Sequence, residues 1–183
     1  MIVSLVGLPG SGKSSVARQL SRALGWSVLD TDQVSESRIG QPIRDFFSTH
    51  GEAAFREHES EALAECLRAS RHTVLATGGG IVLRDINREA LRAGSKVFYL
   101  RTNVEELVRR LRHDTTRPLL QGVDPRQKLR ELYAQRDPLY RQAAHYVVEA
   151  HRPSVTGMTH WIQMQLELGG YVAPEAATPT LDV

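Results

Sequence analysis

Eight residues near the amino terminus have the types and spacing to hold a triphosphate. Gly7-Leu8-Pro9-Gly10-Ser11-Gly12-Lys13-Ser14 fits G-x-x-x-x-G-K-[ST], the phosphate-binding loop. The glycines let the backbone turn tightly and point its N–H groups inward. A helix starting there adds unpaired N–H groups and the positive end of its dipole. Lys13 can reach β- and γ-phosphates, and the Ser14 hydroxyl can bind Mg²⁺. A glycine-rich turn that binds nothing would not need all eight positions matched, between an apolar run and a helix. The chain is therefore read as binding a nucleoside triphosphate.

Further groups could act beside that loop. Asp30 and Asp32 close a short apolar run. If the strand continues through them, alternation puts both carboxylates on one side. One of them could instead be a helix cap, a common place for Asp. Thr77-Gly78-Gly79-Gly80 follows another apolar run. A turn needs one or two glycines, so three suggest a ligand lying on the backbone, closer than any Cβ allows. Arg56 stands one helical turn from Glu52 and from Glu59, where surface ion pairs are the plainer explanation. Arg117 lies in an aperiodic stretch with two prolines and a glycine, 113–125. Such a stretch between two helices of a small enzyme is often a lid. Arg136 falls within a helical pattern, just before Asp137-Pro138, where a kink is possible.

Alternating elements must position these groups. Ile2–Val6, Trp26–Leu29, Thr73–Ala76, Ser95–Leu100 and His145–Val148 read as strands. Apolar residues at helical spacing predict helices over 13–24, 85–93, 103–112, 125–143 and 155–168. Residues 33–70 read as helical, with breaks at Gly40-Gln41-Pro42 and at Gly51. Strands alternating with helices mean an α/β fold with a parallel sheet covered on both faces. The expected organisation is a single domain over 1–169, with 170–183 a disordered tail.

Composition sets the bounds. The chain has 183 residues, enough for one domain with a real core. A net charge of +2 argues against a dedicated nucleic-acid binder. No apolar run is long enough to span a bilayer. The single cysteine, Cys66, excludes an internal disulfide and reads as a core residue. The seven histidines show no metal-ligand spacing. With no leader-like stretch before the first strand, the expected location is the cytoplasm. A phosphate loop, adjacent acids and convergent arginines together mean phosphoryl transfer to an anionic acceptor.

In order and spacing, GLPGSGKS at 7–14, DTD at 30–32, GEAAFREHE at 51–59, TGGG at 77–80, RPLL at 117–120 and RDPLY at 136–140 resemble the shikimate kinases. The resemblance runs from the first strand to about residue 168. It implies a three-layer α/β/α P-loop kinase with a five-stranded parallel sheet in the order 2-3-1-4-5. It also implies a substrate-binding segment over about 33–60 and a lid over about 113–125. The implied reaction moves the γ-phosphate of ATP to the 3-hydroxyl of shikimate, with Mg²⁺ as cofactor, in a cytoplasmic monomer that needs no nucleic acid or membrane. By position, Lys13, Asp32 and Arg117 resemble the catalytic set, with Asp32 binding the shikimate hydroxyls and acting as base. Asp30 and Ser14 resemble the Mg²⁺ site. Gly10, Ser11, Gly12, Lys13, Ser14 and Ser15 resemble the ATP-binding loop, and Arg117 the lid arginine on the phosphates. Arg110 and Arg152-Pro153 resemble the adenine-side contacts. Arg56 and Arg136 resemble a carboxylate clamp, and Gly78, Gly79 and Gly80 the backbone that meets shikimate.

Two other readings share part of this pattern. A gluconate-type sugar-acid kinase has the same loop and lid logic, but lacks the combination of DTD, FR and TGGG. A ligand-sensing module built on this domain would carry a DNA-binding segment, for which no residues stand before the first strand.

Overall fold

The computed structural model describes residues 1–69, 71–111, 124–149 and 154–173. Five strands, β1 (Ile2–Val6), β2 (Ser27–Asp30), β3 (Thr73–Ala76), β4 (Lys96–Arg101) and β5 (Tyr146–Glu149), form one sheet in the order β2-β3-β1-β4-β5. Every neighbouring pair is parallel. Both the class and the strand order agree with the sequence expectation. The helices are α1 (Lys13–Leu24), α2 (Thr31–Ile39), α3 (Ile43–Cys66), α4 (Asp85–Gly94), α5 (Val104–Leu111), α6 (Pro125–Ala143) and α7 (Val155–Leu168).

The two faces of the sheet follow from strand alternation. Ile2 and Val6 of β1, Leu75 of β3, and Val97 and Tyr99 of β4 face one core, filled by α3 to α6 through Leu63, Leu91, Leu107, Leu129 and Tyr140. Val3 and Leu5, Val74, and Phe98 and Leu100 face the other, against Val16 and Leu20 of α1 and Ile162 and Leu166 of α7. Strands buried on both faces explain why β1 and β3 are mostly apolar along their whole length and do not alternate between apolar and exposed polar residues. The chain leaves β1 toward β2 on one side and leaves β3 toward β4 on the other. That reversal opens a crevice at the carboxyl ends of the central strands, where ligands of open α/β sheets bind.

Some boundaries differ from those read in the sequence. β2 ends at Asp30, and α2 begins at once at Thr31. The break at Gly51 lies inside α3, where the backbone takes φ 79° and ψ 173° before the helix resumes. α6 continues as α-helix past Pro138 to Ala143. The cysteine is buried in the core of α3 to α6. Tyr171 and Val172 pack against the α1–α7 core, and Lys96 Nζ sits 4.8 Å from the Tyr171 ring centroid. Most of the expected tail, 174–183, lies outside the described residues. Among the described residues no helix is long and apolar enough to cross a membrane.

Candidate active site

The phosphate-binding loop sits where β1 gives way to α1. Ser11 N–H donates to Leu8 O at 3.1 Å and closes the turn. Gly12, at φ 93°, is the N-cap of α1, and no side chain occupies the cap. The first N–H groups of α1 thus face the loop, where an anion would sit. Lys13 is buried, and its ammonium donates to Gly7 O at 2.9 Å and Leu8 O at 3.0 Å. Those bonds fold the side chain back over the loop. Ser11 is buried, whereas Ser14 and Ser15 are exposed at the start of α1. A Cβ at Gly10 would press on Leu111 of α5. Arg110, the preceding residue of α5, is held by Glu106 at 2.7 Å and donates to Gly10 O at 3.3 Å. Its guanidinium therefore borders the loop.

The acid pair is arranged differently from the strand alternation expected. Asp30 is the last residue of β2 and the N-cap of α2. One carboxylate oxygen accepts from Asp32 N–H at 3.0 Å, and the other accepts from the Ser14 hydroxyl at 3.2 Å. A single side chain thus caps a helix and meets the phosphate loop. Asp32 belongs to the first turn of α2, not to the strand. It reaches the site through helix geometry, because capping by Asp30 starts the helix one residue too early for strand alternation to apply. Thr31, between them, is fully buried, and its hydroxyl oxygen accepts from Gly78 N–H at 2.9 Å.

Three glycines after β3 are crowded by the protein's own side chains. A Cβ at Gly78 would overlap the Asp32 carboxylate, and one at Gly80 would overlap the Arg56 guanidinium. At Gly79 it would lie 2.9 Å from Pro9 Cδ of the phosphate loop. Two of the three glycines therefore make room for charged side chains of the site, besides any ligand above them. The sequence argument considered only the ligand.

Arg56 makes the helix ion pairs that its spacing predicts. It pairs with Glu52 at 2.7 Å and with Glu59 at 2.8 Å, as helix spacing requires. It also points at the glycine run, with Phe55 and Phe47 ring centroids 5.5 and 5.8 Å from its guanidinium carbon. Glu59 is almost wholly buried. Burial pushes its carboxyl above the ordinary value, and the adjacent Arg56 guanidinium opposes that rise. From α6, Arg136 is buried and donates from one terminal nitrogen to Gly79 O at 3.0 Å. Its Nε has no hydrogen-bond partner among the described residues. Tyr140, one turn further on, donates its hydroxyl to the same Gly79 oxygen at 2.6 Å.

The structure thus brings Asp32, Arg56 and Arg136 to one glycine run beside Lys13, Ser14 and Asp30. Arg117, Arg152 and Pro153 lie outside the described residues, as does nearly all of the expected lid. Sequence reasoning missed three neighbours, Thr31, Glu59 and Tyr140. Each had a signal in its spacing. Thr31 lies between the two acids, Glu59 one turn from Arg56, and Tyr140 one turn from Arg136. What spacing could not tell was that these side chains are buried.

The shikimate kinase family model matches residues 9–166 of this chain. A shikimate kinase from Paracidovorax citrulli is 51% identical over 174 residues, covering 94% of this chain and 95% of the relative. The chain belongs to the shikimate kinase family. A shikimate kinase from Ralstonia nicotianae is 46% identical, covering 99% of this chain and 95% of the relative. Among solved structures, a shikimate kinase from Acinetobacter baumannii in complex with shikimate is 40% identical, with a TM-score of 0.87 over 93% of this chain and 94% of that one. The stretch matched by the shikimate kinase model includes Asp30 on β2, Asp32 on α2, the glycine run after β3, Arg56 on α3 and Arg136 on α6.

Proposed function

We propose that this protein transfers the γ-phosphoryl group of ATP to the 3-hydroxyl of shikimate, giving shikimate 3-phosphate and ADP on the route to chorismate and the aromatic amino acids. One observation carries the reading. Two guanidiniums, Arg56 from α3 and Arg136 from α6, converge with the Asp32 carboxylate on one backbone run next to a phosphate loop. A small acceptor with a carboxylate at one end and hydroxyls at the other matches that polarity. The arginines take the carboxylate, for which a planar fork is suited. Asp32 takes the hydroxyls and accepts the proton of the attacking one, while the N–H of Gly79, flanked by Gly78 and Gly80, meets the ring.

On the donor side, the N–H groups of Gly10, Ser11, Gly12 and the start of α1, with Ser14 and Ser15, cradle the phosphates. Lys13 moves from its carbonyl partners to the transferring phosphoryl group, whose charge it offsets. Ser14 and Asp30 would hold Mg²⁺. Their oxygens, 3.2 Å apart on an exposed serine and a half-buried aspartate, are hard donors of the kind that ion takes. Among the described residues no cluster of three acids or histidines gathers, which suits an ion bound through one or two protein groups and substrate phosphates. When bound, the ion neutralises charge on the β- and γ-phosphates. Arg117 from the 113–125 segment completes the charge on closure and helps exclude water. Arg110, Arg152 and Pro153 make the adenine-side contacts. We place the protein in the cytoplasm as a monomer acting on two small molecules, without nucleic acid or membrane.

ADP formation with MgATP tests this, measured with shikimate, with gluconate and with neither. Formation that depends on shikimate, with shikimate 3-phosphate as product, is expected. ATP binding without turnover on shikimate would refute the reading and favour a ligand-sensing role, and turnover on gluconate instead would favour a sugar-acid kinase.

A further inference from the structure

Tyr140 is fully buried, and its hydroxyl is spent on one acceptor, the carbonyl oxygen of Gly79. Arg136, four residues earlier on the same face of α6, donates to that same oxygen. A carbonyl has two lone pairs, so the two donors fill it. No peptide bond among the described residues is cis, so the Gly79 carbonyl and the Gly80 N–H of the same peptide point in opposite directions. Anchoring the oxygen to α6 therefore aims the Gly80 N–H away from α6. The rest of the run is pinned as well. Gly78 N–H donates to Thr31, Gly78 O accepts from Ile81 N–H at 3.2 Å, and Gly80 O accepts from Leu83 N–H at 3.0 Å. The N–H groups of Gly79 and Gly80 are left without a hydrogen bond among the described residues.

We infer that Tyr140 is a positioning residue for the reaction: its hydroxyl fixes the Gly79 carbonyl, and through it both the aim of the Gly80 N–H and the orientation of the Arg136 guanidinium. Without that hydroxyl, half of the carbonyl's accepting capacity is vacant. Arg136 can then rotate toward the vacancy, carrying its partnerless Nε out of line. Burial raises the Tyr140 phenol above its ordinary value, so the group stays a donor throughout the working pH range. Tyr99 supplies a control from the same stacked pair of rings, whose centroids are 4.9 Å apart. Its hydroxyl donates to Asp137 at 2.9 Å and not to the glycine run.

This inference rests on the proposed shikimate site, and the test separates the two. In the full chain, Tyr140→Phe and Tyr99→Phe each delete one phenolic hydroxyl and keep the ring. Tyr140→Phe is expected to raise KM for shikimate about five- to tenfold, the size of one hydrogen bond, with KM for ATP within about twofold of the unchanged protein. Tyr99→Phe, which also loses one hydrogen bond, is expected to lower the melting temperature about as much as Tyr140→Phe does, with KM for shikimate within about twofold of the unchanged protein. Tyr140→p-aminophenylalanine returns an N–H donor and is expected to recover most of the shikimate affinity. Equal effects of the two Phe variants on KM, no effect of Tyr140→Phe, or no recovery with the amino analogue would overturn the positioning role while leaving the function standing. An unchanged protein that does not turn over shikimate would overturn both.

Discussion

Replacing Arg136 by lysine isolates the value of a planar fork. Arg136 is 4% exposed, spends one terminal nitrogen on Gly79 O, and keeps Nε without a partner among the described residues. Its remaining N–H groups are the ones available to a carboxylate. Lysine keeps the positive charge but has one nitrogen at the end of its stem, so it can serve Gly79 or the substrate well, not both. The loss is one charge-assisted hydrogen bond and part of a second, about 2–3 kcal/mol. At about 1.4 kcal/mol per decade, that is roughly a 30- to 150-fold rise in KM for shikimate. Initial rates over a shikimate titration at saturating MgATP measure it. The expected pattern is a large rise in shikimate KM, a smaller fall in kcat and little change in KM for ATP. A shikimate KM within about threefold of the parent would refute the clamp. A parallel rise in KM for ATP would show that Arg136 serves the phosphates instead.

Other expectations follow from single residues. Asp32→Asn removes the proton acceptor but keeps the shape, so turnover should fall by about two to four orders of magnitude while ATP still binds by calorimetry; near-normal turnover would exclude a base or positioning role. Asp137 is buried enough for desolvation to raise its carboxyl, but hydrogen bonds from Arg141, Tyr99 and Arg101 outweigh that and hold it below the usual aspartate range. A lowered folded-state value contributes stability that is complete above the unfolded value, about 3.9, and is lost as pH falls through the folded one. Melting curves of Asp137→Asn should therefore lie below the parent at neutral pH and converge with it in strong acid; parallel curves would reject the linkage. Cys66 is buried, and burial raises its thiol to about 11. At pH 8 only about one molecule in a thousand then carries a thiolate, so thiol reagents should label the protein only after unfolding. Rapid labelling of the native state would contradict the packing.

Local order was legible because it is written in contiguous residues. The phosphate loop is a run of eight, and the strands are short apolar runs bounded by glycine, proline or acids. Each helix carries its own period, so the α/β class and the number of parallel strands follow without tertiary information. DTD, TGGG and the two arginine motifs could be singled out in the same way. Their roles could not be read off spacing, because each has a plain local explanation. Arg56 does pair with Glu52 and Glu59 on its own helix, and Asp30 does cap α2.

The tertiary structure brings these locally explained side chains to one place. Arg56 and Arg136 stand on helices far apart in sequence, and they meet because the β2-to-β3 and β4-to-β5 crossovers run the same way across the sheet with one handedness, stacking α3 and α6 on one face. Asp32 enters the site from a helical turn and not from strand alternation, since the cap at Asp30 determines where α2 begins. The glycine run is crowded by Asp32, Pro9 and Arg56, neighbours no local pattern can name. Burial of Glu59 and the shared grip of Arg136 and Tyr140 on one carbonyl are likewise properties of packed neighbours. Sequence carries period, propensity and motif along the chain. Which polar groups lose water, and which remote donor replaces it, depends on the packing of segments that are distant in that order.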